Sequence, residues 1–268
     1  MEIRLDGEVA AVTGGGGVLC GAMSRSLAAA GARVAVLDAR PEAAGGVARS
    51  IVEAGGKAIG ICCNVLDRSS IEASCRAIEK ELGHVTILVN GAGGNKAEAT
   101  VSSDIEFFDL PPEAVQWVFD LNFLGTLLPC QVFGRPMAAL KRGRIVNISS
   151  LNAIRPLTRI PAYSAAKAAV SNFTQWLAVH MSRTYSTDIR VNAIAPGFFV
   201  TDQNRFLLQG RDGALTDRGK QILDHTPMAR FGEAEDLLGT LLWLVSPGAA
   251  FVHGIVVPVD GGFSAYSI

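Results

Sequence analysis

Val9-Ala10-Ala11-Val12-Thr13-Gly14-Gly15-Gly16-Gly17-Val18-Leu19-Cys20-Gly21 is the stretch on which the fold of this chain turns. Five small or β-branched residues read as a buried strand, four glycines as a tight turn, and helical periodicity takes over by Ala22. Glycines at such a turn let the backbone approach a pyrophosphate, while the helix N-terminus supplies N–H donors and a positive dipole. Tight strand-to-helix turns also use glycine for purely steric reasons. The added signal is Asp38, which closes the next strand 21 residues beyond Gly17. A carboxylate there accepts from both adenosine ribose hydroxyls and repels a 2′-phosphate. Gly14, Gly16, Gly17 and Asp38 are therefore candidate cofactor residues. NAD is favoured over NADP, although Arg40 stands two residues after the acid.

Outward from this unit, short Val/Ile-rich runs alternate with stretches of helical period. Strands are expected at Val9–Thr13, Arg33–Asp38, Ala58–Asn64, Ile87–Asn90, Arg144–Ser149, Arg190–Ile194 and Ile255–Val259. Helices are expected at Ala22–Ala30, Glu42–Ala54, Ser69–Leu82, Pro112–Leu140, Ala162–Tyr185 and Ala234–Leu244. Strands apolar at nearly every position are those buried on both faces of a parallel sheet. The alternation predicts a doubly wound α/β (Rossmann) fold, with seven mostly parallel strands and helices on both faces. No repeat or linker divides it, so residues 1–268 are read as one domain. The long interval from 196 to 234 reads as a substrate lid.

Composition narrows the function classes. The 268 residues carry 24 Lys+Arg against 25 Asp+Glu, a formal charge of −1, which gives no electrostatic case for nucleic acid or an anionic membrane. Hydrophobic residues make up 49% and charged residues only 18%, which excludes disorder and leaves apolar surface to spare for a subunit interface. Cys20, Cys62, Cys63, Cys75 and Cys130 are odd in number and lack CxxC spacing, so reduced thiols are expected and no metal site. The four histidines show no ligand spacing. No signal peptide or membrane span is legible, so a soluble cytoplasmic enzyme is expected.

Tyr163-Ser164-Ala165-Ala166-Lys167 opens a helix, and its spacing of four puts Tyr163 and Lys167 on one face. An ammonium beside a phenol favours phenolate, the requirement for a tyrosine working as general acid/base at neutral pH. Ser150, at a strand end 13 residues earlier, can donate to the same reacting oxygen.

Taken with Asn90-Gly91-Ala92-Gly93, Asn122, Pro196-Gly197, Thr201, Arg230-Phe231-Gly232 and Asp260-Gly261-Gly262, these motifs resemble the short-chain dehydrogenase/reductase family over essentially the whole chain. The resemblance implies Tyr163 as general acid/base and Ser150 orienting the substrate carbonyl. It implies Lys167 on the nicotinamide ribose and depressing the tyrosine pKa, and Asn122 holding a water in a proton relay. It also implies Asn90 supporting the sheet and cofactor edge, Pro196 and Thr201 at the nicotinamide amide, and Leu19, Asn64, Val65, Ala92 and Gly197 along the cofactor. Val18 and Cys20 depart from the family, which has glycines there, and Asn64 stands where it tends to have Asp.

Finer features resemble D-mannonate (fructuronate) oxidoreductases: the TGGGGVL turn, Gly93-Gly94-Asn95, Ser149-Ser150-Leu151-Asn152-Ala153, and Pro196-Gly197-Phe198-Phe199 running to Gln203-Asn204-Arg205. Asn95, Lys96, Asn152, Gln203, Asn204 and Arg205 would give the substrate site a polar lining, with Arg205 and Lys96 as cations for a carboxylate. A sugar acid or polyol is thus the expected substrate. Another polyol, a 3-oxoacyl-type ketone, or a non-catalytic nucleotide sensor remain alternatives. Trp117, Trp176 and Trp243 read as core or interface packing. The apolar helices and the Phe251–Ile268 tail point to a homotetramer.

Overall fold

A computed structural model describes residues 3–201, 205–210 and 213–267. Its centre is one sheet of β1 (Val9–Thr13), β2 (Arg33–Asp38), β3 (Lys57–Cys62), β4 (Ile87–Asn90), β5 (Gly143–Ile148), β6 (Ile189–Pro196) and β7 (Val256–Val259). The strand order is β3-β2-β1-β4-β5-β6-β7, and every pairing is parallel, where the sequence suggested mostly parallel. Strands β1, β4 and β6 are buried at every residue, apolar for the most part, with Arg190 and Asn192 of β6 buried among them. The edges β3 and β7 are partly exposed, and β7 carries Pro258, which an edge strand tolerates.

The period of two along β1 divides the core between the sheet faces. Ala10 and Val12 pack with Met23 and Leu27 of α1 (Val18–Ala29), Ile51 of α2 (Pro41–Glu53), and Leu241 and Leu244 of the helix Leu238–Val245. Val9 and Ala11 pack with Ile71 and Ile78 of α3 (Arg68–Glu81) and with Phe133 and Met181 from the helices Gly125–Leu140 and Pro161–Thr184. Helices on both faces of a parallel sheet are the doubly wound arrangement.

Helix boundaries depart from expectation in two places. The stretch 112–140 is α4 (Pro112–Phe119), a π turn at Asp120–Leu124, and α5 (Gly125–Leu140). An apolar pattern read over the whole stretch does not resolve a turn of five residues within it. Next come α6 (Pro161–Thr184), α7 (Arg205–Leu208), α8 (Asp217–Asp224) and α9 (Leu238–Val245). Two of these, α7 and α8, were not foreseen. Buried Arg190 of β6 donates from Nη1 to Leu244 O (2.7 Å) and from Nη2 to Ser246 O (3.0 Å), satisfying carbonyls at the end of α9.

The second departure is α1, which starts at Val18 directly after Gly17. Gly14 takes φ +63°, and its Cα lies so near Ala92 that a Cβ would meet that backbone at 2.9 Å. Cys20, the residue unlike the family's, is 95% buried, and its Sγ occupies the place where a Cβ on Gly91 would sit. A side chain at position 20 is thus accommodated by the absence of one at position 91.

This pairing yields a double-mutant expectation. Gly91→Ala should destabilise the protein by about 1–3 kcal/mol through overpacking. In a Cys20→Ala background most of that loss should vanish, leaving only the tight Thr13 O contact at 3.0 Å. Urea unfolding of the four proteins measures the coupling; equal cost in both backgrounds refutes it.

Candidate active site

The turn after β1 is held to the turn after β4 by one hydroxyl: Thr13 Oγ1 accepts from Gly91 N (3.1 Å) and Ala92 N (3.3 Å). Gly16 N donates to Asp38 Oδ2 at 3.1 Å, placing the carboxylate at the end of β2 against the glycine turn. Asp38 Oδ1 accepts from Arg40 N (3.0 Å) and Arg40 Nε (3.3 Å). Arg40 is therefore tied to the acid it was weighed against. The Gly16 N–H, the α1 N-terminus and a nine-tenths-buried carboxylate with spare lone pairs form a cradle of the right chemistry for a dinucleotide. Gly14, Gly17, Leu19 and Ala92 lie at the same edge, each partly exposed. Val65 is buried, while Asn64 is exposed and turns Oδ1 back to accept from Leu66 N (3.0 Å). That oxygen keeps one lone pair for a ligand.

Asn122 sits in the π turn, fully buried. Its Nδ2 donates to Gly94 O and Val118 O (both 2.7 Å), and its Oδ1 accepts from Gly94 N (3.3 Å). The extra residue of the turn swings the side chain out to grip the loop after β4. Asn122 Oδ1 and Lys167 Nζ converge on Gly93, 2.6 and 3.3 Å from where a Cβ would stand. Lys167 Nζ donates to Ile148 O (2.8 Å) and lies 5.6 Å from the centroid of the Tyr163 ring. Burial lowers its pKa to about 8.

Ser150 ends the β5 run in extended conformation, and its Oγ accepts from Asn152 N and Asn152 Nδ2, each at 3.2 Å. With two donors on the oxygen, the hydroxyl proton is free to point away from them. At Tyr163, burial pushes the phenol up from the ordinary value, and the hydrogen bond with Ser150 pulls it down by less. Lys167 stands by the ring and spends one donor on Ile148 O, so burial remains the larger influence on the phenol.

Asn90 donates from Nδ2 to Asn147 Oδ1 (2.9 Å), which continues through Asn147 Nδ2 to Thr174 Oγ1 (2.9 Å), a buried polar link from β4 across β5 to α6. Pro196 closes β6, and Gly197 N donates to Val259 O (2.9 Å). Thr201 is partly buried just beyond.

The described residues of the expected polar substrate lining each meet a protein neighbour. Asn95 is exposed, with Nδ2 on Thr100 Oγ1 (2.9 Å), and Lys96 lies over the Trp117 ring at 5.5 Å. Asn152 is buried, its amide spent on Ser150, Leu157 N and Ser164 Oγ. Arg205 is exposed and its Nη1 faces Gln209 Oε1 at 3.4 Å. Gln203 and Asn204 lie outside the described residues. What sequence reasoning missed is a cavity of about 310 Å³ walled by Leu157, Phe198, Arg218, Gln221, His225 and Phe263. The signal available was the i, i+3, i+7 spacing of Arg218, Gln221 and His225 within the long interval. Among the described residues no cluster of metal-ligating side chains exists, and no helix is long and apolar enough to cross a membrane.

Residues 8–212 match the family model described as short chain dehydrogenase. An uncharacterised oxidoreductase of Haemophilus influenzae is 50% identical over 98% of this chain and 95% of its own. The crystal structure of a provisionally named D-mannonate oxidoreductase from Haemophilus influenzae, with bound NAD, superposes with TM-score 0.93 at 49% identity, covering 99% of this chain and 98% of that one. A gluconate 5-dehydrogenase from Burkholderia cenocepacia, in complex with NADP and tartrate, superposes with TM-score 0.88 at 29% identity, covering 99% and 98%. With a parallel sheet in this order and a glycine turn meeting a Ser–Tyr–Lys cluster at its carboxyl edge, the chain belongs to the short-chain dehydrogenase family and is an oxidoreductase.

Proposed function

We propose that the protein interconverts a secondary alcohol and a ketone on a sugar acid, with NAD(H) as cofactor and the D-mannonate/D-fructuronate pair as the leading substrate. The observation that carries the reading is one cluster: Asn122 and Lys167 converge on Gly93, Lys167 lies by the Tyr163 ring, and Ser150 hydrogen-bonds Tyr163, beside the turn that Asp38 flanks. The similarity to a D-mannonate oxidoreductase with bound NAD supports both substrate class and cofactor.

When bound, the nicotinamide accepts or delivers the hydride. The chain does the rest. Tyr163, held protonated by burial, donates its phenolic proton to the carbonyl oxygen in reduction and takes it back in oxidation. Ser150, its Oγ fixed by two donors from Asn152, aims its hydroxyl proton at the same oxygen. Lys167 anchors to Ile148 O and keeps two donors for ribose hydroxyls, while Asn122 holds the Gly94 loop beside it. Asp38, Gly14, Gly16, Gly17 and Leu19 hold the adenosine and pyrophosphate end, with Asn64, Val65, Asn90 and Ala92 along its edge. Pro196, Gly197 and Thr201 meet the nicotinamide end.

The decisive assay is absorbance at 340 nm with NAD or NADP against aldonic acids, polyols and keto acids. Oxidation of aldonates with NAD supports the reading; activity confined to neutral polyols or acyl ketones removes it.

Three outcomes are expected. Tyr163→Phe removes the proton donor but leaves the ring and Lys167 in place, so kcat should drop by about 10²–10⁴. NADH affinity, read by fluorescence titration, should change by a few-fold at most, and activity within tenfold of the parent would reject the role. Asp38→Ala should weaken NAD and narrow its advantage over NADP, because the clash with a 2′-phosphate disappears while Arg40 is released. A parent enzyme already more efficient with NADP would show that Asp38 does not select.

Self-association belongs to the same reading. Trp176 (58% exposed) and Val179 (60%) leave apolar surface on α6, and Trp117 and Phe108 do so around α4. The tail contributes less than its composition suggests, since Phe263 and Tyr266 pack on His225. Light scattering should give about four times the 28.2 kDa of one chain; a monomer at micromolar concentration refutes it.

A further inference from the structure

Of the cations around the catalytic edge, most are engaged. Lys96 lies over Trp117, Arg205 meets Gln209, Arg155 Nε donates to Ser264 O at 3.2 Å, and Arg40 pairs with Asp38. Arg218 differs. It projects from α8 into the 310 Å³ cavity, is half-buried, and among the described residues pairs with no carboxylate. The acid before it, Asp217, instead faces Lys220 at 3.5 Å on the exposed side of the helix. A partly desolvated guanidinium without a counter-ion is a site waiting for an anion, and its fork matches a carboxylate in two parallel hydrogen bonds.

The rest of the cavity suits a short polyhydroxylated chain. Gln221 and His225 follow Arg218 along the same face of α8 and add an amide and a ring nitrogen. Phe198 and Phe263 bring apolar rings, 5.1 Å apart between centroids, for the C–H faces of such a chain. His225 is held edge-on to Phe263 (4.4 Å) and Tyr266 (4.9 Å), so this wall is set by packing. The cavity also borders the reacting centre. Its wall residue Leu157 donates from N to Asn152 Oδ1 (3.4 Å), and Asn152 Nδ2 donates to Ser150 Oγ (3.2 Å). A single amide thus separates the cavity wall from the hydroxyl aimed at the substrate carbonyl.

We propose that Arg218 is the specificity-determining residue for an anionic substrate, binding the carboxylate of a sugar acid in the cavity between α8 and the loop after Ser150. This rests on the sugar-acid reading above and moves its carboxylate contact from Arg205 to Arg218.

The test compares kcat/KM for six-carbon aldonates with that for neutral alditols of equal length, using the parent enzyme, Arg218→Gln, Arg218→Lys and Lys220→Gln. In Arg218→Gln the aldonate-to-alditol ratio should fall by about 10–150-fold, the range of a lost charge-assisted hydrogen bond, chiefly through KM. Arg218→Lys, which keeps the charge but not the fork, should recover part of the ratio. Lys220→Gln, an equal charge loss on the outer face of the same helix, should leave it unchanged. An unaltered ratio in Arg218→Gln overturns this assignment alone and leaves the sugar-acid reading standing. So does equal loss on both substrates with Arg218→Lys failing to restore the ratio. A parent enzyme that oxidises no aldonate overturns both.

Discussion

The Thr13 hydroxyl holds the functional edge of this molecule together. It is fully buried at the end of β1, and it takes the N–H groups of both Gly91 and Ala92, which follow β4. In the strand order β3-β2-β1-β4-β5-β6-β7, the order of strand addition reverses between β1 and β4, and there the connections diverge to leave a crevice. Two amides at that point would each lose about 1–3 kcal/mol if left without a partner. Their capture fixes the distance between two turns, and the other contacts follow from it. Gly14 is pressed against Ala92, Cys20 fills the space beside Gly91, and Gly93 is presented to Asn122 and Lys167.

Around that edge the electrostatics come from burial more than from pairing. Desolvation raises the Tyr163 phenol and lowers Lys167 to about 8. The lysine therefore releases its proton before the phenol does as pH rises. Below about pH 8 the pair is phenol plus ammonium. Ser150 pulls the phenol towards ionisation, and Asn152 orients Ser150. Asn152, read from the sequence as a substrate ligand, donates its amide to that hydroxyl oxygen.

The strands were legible almost residue by residue, because burial on both faces leaves an apolar run that no helix or loop needs. Val9–Thr13, Arg33–Asp38 and Ile87–Asn90 end where they were expected to end. The glycine turn, Asp38, Ser150, Tyr163 and Lys167 were legible for a related reason: each depends on a local spacing, and local spacing survives in one dimension. The π turn at Asn122 was not, since a single extra residue in a helix changes direction without changing composition. Nor was the accommodation of Cys20, which needs the absence of a side chain 71 positions away, at Gly91.

The amino-acid sequence by itself determined the doubly wound parallel sheet, the position of its nucleotide turn and the Ser–Tyr–Lys triad, because periodicity and helical spacing encode these within a few residues. Only the tertiary structure decided which polar groups remain free once the chain has folded. Asn95, Asn152 and Arg205 are polar residues that follow the carboxyl ends of β4, β5 and β6, yet each is drawn to a protein neighbour. Arg218 belongs to a helix the sequence did not announce, and its facing wall comes from residues roughly 60 positions earlier. A hydrogen-bonding group's availability is a property of everything around it, and that is settled in three dimensions.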